Sequence, residues 1–169
     1  MRNFFFLLVC VCFSLSGFTQ VKTGNSDDKV FLVSTKGSVK YGYAYTSKQI
    51  KDVLGEPDKV NSWRGEYGMD YEFNYKDGLF IRFNDDYRSE GLHSIYINSN
   101  HYALRLDDVY LTVGESVDRL TTISGYTGME PIGNKGWYTV HFGTADAFVL
   151  EIKISADAKI LVISYKNTL

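Results

Sequence analysis

Residues 69–84 read MDYEFNYKDGLFIRFN, and the fold turns on how this stretch is read. Met69, Tyr71, Phe73 and Tyr75 alternate with Asp70, Glu72 and Asn74. After Lys76-Asp77-Gly78, Leu79, Ile81 and Phe83 alternate with Phe80, Arg82 and Asn84. A period of two marks a strand with one packed face and one wetter face. The Asp-Gly step between the runs suits a tight turn, because glycine takes positive φ without steric cost. A polar turn over 85–91 leads into residues 92–98, where His93, Ile95 and Ile97 oppose Ser94 and Tyr96. The three runs predict an antiparallel meander.

Upstream, residues 46–54 read as a helix. Thr46 or Ser47 caps it, Ile50, Val53 and Leu54 form an apolar stripe, and Gly55 and then Pro57 stop it. Residues 58–68 read as a polar loop. Residues 30–33 and 39–45 suggest a first hairpin across Lys36-Gly37. Downstream the order returns. Residues 117–124 read as a second helix, capped by Ser116 and stopped by Gly125. Strand-like runs follow at 137–142, 147–154 and 159–166, joined by the short links 143–146 and 155–158. The glycine-rich stretch 125–136, GYTGMEPIGNKG, reads as a flexible connection; without G-K-[S/T] it is not a phosphate loop. The expected fold is therefore α+β: two tandem repeats, about 41–98 and 111–166, each a helix plus a three-stranded antiparallel meander. Together they would form one curved sheet with helices on one face.

The N-terminus has the form of a secretory leader. Arg2 precedes the apolar run FFFLLVCVCF at 4–13, too short to span a bilayer, and small residues follow. The expected cut falls after Thr19, leaving a tether over 20–29 and one domain over 30–169. The chain would then be periplasmic or secreted. Both cysteines, Cys10 and Cys12, would leave with the leader. The mature chain would hold no disulfide, thiolate metal site or cysteine nucleophile. No later run is long enough for a membrane span. The 169 residues carry a formal charge of −2 and no Lys/Arg cluster beyond a pair, which argues against nucleic acid as a partner.

The stretch TSKQIKDVLGEP, residues 46–57, resembles the T/S-x-x-x-V-x-x-(L/I)-(L/F)-G-x-P helix of the small outer-membrane lipoproteins of the SmpA/OmlA type. It is also similar to the repeat of the β-lactamase inhibitor protein family. Both pack a short helix on an antiparallel meander, and the inhibitor carries two such units. The likeness covers roughly residues 41–166. In the second copy Ser124 stands where an apolar residue precedes the glycine, no proline follows promptly, and the inhibitor's stapling cysteines are missing. The resemblance implies a protein-binding scaffold outside the cytoplasm that uses its open sheet face.

Catalytic chemistry finds little support in the residues. His93, His101 and His141 are scattered, so no metal or other cofactor is expected. No G-x-S-x-G nucleophile elbow occurs. Asp85-Asp86 and Asp107-Asp108 lack calcium-loop spacing and read as turn acids. The aromatic surplus says more. By alternation Phe80, Tyr96 and Trp137 fall on the wetter face with Glu72, Arg82 and His141. Large amphipathic rings beside arginine are what protein interfaces concentrate. The competing reading is cross-strand pairing that only stabilises the sheet. The expected function is a non-enzymatic binding protein of inhibitor or immunity type, whose partner is a protein outside the cytoplasm. The alternatives are an accessory in outer-membrane assembly and a small hydrolase or ligand carrier.

Overall fold

The computed structural model describes residues 29–133, 135–142 and 148–167. The expected leader over 1–19, the expected tether up to residue 28 and the expected link 143–146 lie outside the described residues. In chain order the elements are β1 (Val30–Ser34), β2 (Gly37–Lys40), α1 (Ser47–Leu54), β3 (Lys59–Arg64), β4 (Met69–Tyr75), β5 (Leu79–Asn84) and β6 (Leu92–Ile97). Then come β7 (Ala103–Leu106), β8 (Val109–Thr112), a 3-10 helix (Val117–Thr122), β9 (Tyr126–Ile132), β10 (Trp137–Phe142), β11 (Phe148–Ile154) and β12 (Ile160–Asn167). Every strand pairing is antiparallel. One sheet has four strands in the order β2-β1-β7-β8, and the other has eight in the order β3-β4-β5-β6-β12-β11-β10-β9.

This corrects the expected fold class. The protein is mostly β, built on two sheets. It is not a pair of helix-plus-three-strand units sharing one curved sheet with helices on one face. Four local features account for the difference, each with a physical cause. The presumed loop 58–68 contains β3, all six residues of which are exposed. A strand buried on neither side has no apolar alternation to reveal it. The presumed flexible connection 125–136 contains β9, which carries Pro131; a sheet edge tolerates proline because an outward N–H is not needed there. β7 and β8, four residues each and too short for a clear period, join the first hairpin in the smaller sheet. That hairpin turns at Thr35-Lys36, with Ser34 opposite Gly37.

The fourth feature is the expected second helix. Its N-cap is Ser116, but it is one short 3-10 stretch ending at Thr122, with Ile123 already extended. Val117, Thr121 and Thr122 are β-branched and poor helix formers. The hydroxyls of Thr121 and Thr122 donate to the carbonyls of Asp118 and Arg119, at 2.8 and 2.7 Å, competing with α-helical ladder bonds.

α1 forms where its sequence signals place it. The Gln49 N–H donates to Thr46 Oγ1 at 3.2 Å, the Thr46 N–H donates back to Gln49 Oε1 at 2.8 Å, and Gly55 closes the C-terminus. We expect Thr46→Ala to lower unfolding free energy by about 1 kcal/mol, read from the urea midpoint, and Thr46→Ser to preserve it. Equal losses in both variants would show that the cap is not the cause.

One core joins the layers. Leu32, Val39, Leu104 and Leu111 from the small sheet and Ile50 from α1 cluster with Phe73, Ile81, Phe83, Ile95, Ile152 and Ile163 from the large sheet. Tyr41, just past β2, sets its ring edge-on to Tyr165 of β12 at 4.7 Å and donates to the His93 carbonyl at 2.7 Å. Tyr75 of β4 donates to the Gly55 carbonyl at the end of α1, and burial pushes its hydroxyl pKa above the ordinary tyrosine value. The small sheet and α1 therefore cover one face of the eight-stranded sheet. The other face lies outside the core cluster.

Candidate functional site

Strand register brings the candidate residues together on that second face. Across the ladder, Asn61 faces Glu72, Glu72 faces Arg82 and Arg82 faces Ser94. The neighbouring row runs Asn74, Phe80, Tyr96, Ser164, Glu151, Thr139 and Glu130. Trp137 and His141 flank Thr139 two residues either way on β10 and so share its side. Glu72, Phe80, Arg82, Tyr96, Trp137 and His141 thus occupy one face, with Arg82 exposed and the other five half-buried.

Charges on this face are largely cross-paired. Arg82 donates through Nε to Glu72 Oε1 at 2.7 Å, and its Nη2 stands 2.6 Å from the same oxygen. Asn61 Nδ2 donates to Glu72 Oε2 at 3.0 Å. The Asn61 amide, followed by the Arg82 guanidinium, holds the Glu72 carboxyl below its ordinary value. The guanidinium also lies 5.5 Å from the Phe80 ring centroid. Lys166 bridges to Glu151 at 3.1 Å. His141 Nε2 stands 3.5 Å from Glu130 Oε2 and makes no hydrogen bond among the described residues. Close pairing makes this side orderly rather than strongly charged of either sign.

At the β9–β10 end the face dips into a groove of ≈ 300 Å³, lined by Ile132, Gly133, Lys135, Trp137 and Glu151. Gly133 and Gly136 have φ of 61° and 70°, which lets a short connection turn there. An indole and an aliphatic branch, with the Lys135 and Glu151 charges offsetting each other, make a depression that can receive an apolar side chain. The groove lining does not include His141, so imidazole and Glu151 do not meet there as an acid–base pair.

Trp63, on the strand that replaces the expected loop 58–68, also belongs to this face. It stands opposite Asp70 on β3 and is 46% exposed. The signal that could have found it is Trp63 two residues past Asn61, repeating the alternation of the neighbouring strand. The other histidines lie elsewhere. His93 occupies a β-bulge where Arg82 faces Ser94 but Phe83 faces Leu92, with its Nδ1 3.0 Å from the Gly91 carbonyl oxygen. His101 sits 3.9 Å from Asp77 in a turn. Asp107 has a φ of 53° in the β7–β8 turn and pairs with Lys29 at 2.8 Å. Asp86 is clasped by Arg88, which holds its carboxyl down at about 2. Among the described residues no three His, Cys, Asp or Glu side chains group so as to hold a metal ion. No helix among them is long and apolar enough to cross a membrane.

Set against known proteins, the chain matches no family model, and no curated protein matches it. Among solved structures it is similar to an extracellular protein containing an SCP domain from Bacillus anthracis str. Ames. The TM-score is 0.38 and the identity 8%, over 75% of this chain and 44% of that one. The chain therefore spans less than half of that protein's length, and a likeness this slight carries no argument about function.

Proposed function

We propose that this chain is an exported, non-enzymatic binding protein that docks a protein partner on the open face of its eight-stranded sheet. The reading rests on one observation. Register aligns Phe80, Tyr96 and Trp137 with Arg82, Glu72 and His141 on the face that the small sheet leaves uncovered. Rigid rings on paired strands lose little conformational freedom when they are buried by a partner, and such rings are where interface energy concentrates. The groove beside Trp137 supplies a concavity for one anchoring side chain of that partner. The leader-like residues 4–13 support a location outside the cytoplasm, periplasmic or secreted.

Quantitative affinity purification from the exported fraction tests the reading, with the wild type compared against Trp137→Ala and Tyr96→Ala. We expect a partner retained by the wild type to bind each variant roughly tenfold or more weakly, with circular dichroism unchanged. Retention of that partner at full strength by both folded variants would remove the face as its docking site.

A further inference from the structure

The eight-stranded sheet ends in two unlike edges. β9 is guarded: Pro131 lacks a donor, and the pairing with β10 slips between His141 and Phe142. β3 has neither device. Its six residues KVNSWR keep unbroken register with β4, from Lys59 opposite Asn74 to Arg64 opposite Met69, and all six are exposed. At the turn, the Gly65 N–H donates to the Gly68 carbonyl at 2.8 Å, which makes that a hydrogen-bonded pair. Antiparallel alternation then turns the backbone groups of Asn61 and Trp63 toward β4, and those of Val60, Ser62 and Arg64 toward the open edge.

We propose that this edge takes an extended acidic segment of a partner protein as an added strand. This lies beyond the docking face proposed above and does not depend on it. The charges select the occupant. Lys59 and Arg64 stand at the two ends of β3, with no acid between them and no ion pair to either among the described residues. A second copy pairing β3 with β3 in antiparallel register about Ser62 would set Arg64 against Val60 and offer neither base an acid. A segment with acids five residues apart places one opposite each base. Its positions just inside those acids meet Val60 and Trp63, which are 45% and 46% exposed. The pattern is acid, apolar, two polar residues, apolar, acid, and it reads the same in either strand direction. Backbone bonds then supply affinity and side chains supply selectivity.

Fluorescence anisotropy with labelled peptides on the purified protein tests the idea. One peptide carries the core Glu-Val-Thr-Thr-Val-Glu, and a second carries Lys in place of both Glu. We expect the acidic peptide to bind roughly tenfold more tightly than the basic one. The double variant Lys59→Glu, Arg64→Glu should reverse that order, and Ser62→Pro, which removes an outward N–H, should abolish binding of both. Trp137→Ala should change nothing here, which separates this edge from the open face. Equal binding of the two peptides, or an order unmoved by charge reversal, overturns the proposal. If Ser62→Pro fails to fold, the charge-reversed protein still decides.

Discussion

Replacing Phe73 by alanine is expected to remove about 3–5 kcal/mol of folding stability. Phe73 is wholly buried at the centre of β4. Its ring meets Phe83 edge-on at 5.0 Å, and Tyr71 and Tyr75 flank it at 6.1 and 6.4 Å. Deleting it forfeits the transfer free energy of an aromatic ring, leaves a cavity that paired strands cannot collapse, and breaks the aromatic contacts. Urea unfolding followed by fluorescence measures the effect as a fall in midpoint at constant slope. Phe73→Leu, which keeps most of the volume, should cost clearly less. A loss under about 1 kcal/mol for the alanine variant would mean that the two layers do not share a core at this point.

Gly91→Ala is expected to be comparably severe, for a different reason. Gly91 precedes β6 with a φ of 61°, and an added Cβ would stand 2.1 Å from the Tyr43 carbonyl carbon and 2.2 Å from its oxygen. Backbone cannot yield there. The Gly42 N–H donates to the Leu92 carbonyl and the Leu92 N–H to the Tyr43 carbonyl, both at 2.8 Å. These bonds clamp the chain leaving the small sheet onto the start of β6, so methyl insertion breaks the clamp as well as straining φ. We expect a loss of about 4 kcal/mol or more. Gly42→Ala is the control. Its φ is 73°, but nothing stands within 4 Å of the added carbon, so it should cost only about 1 kcal/mol. Equal melting temperatures for the two variants would refute the steric account.

What could be read from the residues follows from where each strand is buried. β4 and β5 were legible to the residue because one side of each faces the core and the other water, which writes alternation into MDYEFNY and LFIRFN. The same one-sided burial writes the common side of Glu72, Phe80, Arg82, Tyr96, Trp137 and His141 into the alternation of their strands. β3 escaped because both its sides are wet, and Trp63 escaped with it. β7 and β8 carry a usable signal, Leu104, Leu106, Val109 and Leu111 at alternate positions around the Asp107-Asp108 turn. Strands of four residues fall below the span over which periodicity separates from chance. The division into two sheets was illegible for another reason. Partner choice among strands depends on contacts distant in sequence, and Phe31 facing Arg105 leaves no local trace.

The position of β12 has a consequence for assembly. β3 to β6 close by neighbouring hairpins, and so do β9 to β12. Among the described residues the two groups pair strand to strand only where β12 lies beside β6, with Ile163 opposite Ile97. Loop-closure entropy delays this seam relative to the hairpins. Until it closes, β6 and β12 both stand as raw hydrogen-bonding margins in the middle of the molecule, and in any chain clipped before residue 160 β6 and β11 do. The hazard of intermolecular stacking therefore peaks late in folding, at the seam, and loss of the final strand would leave two adhesive halves.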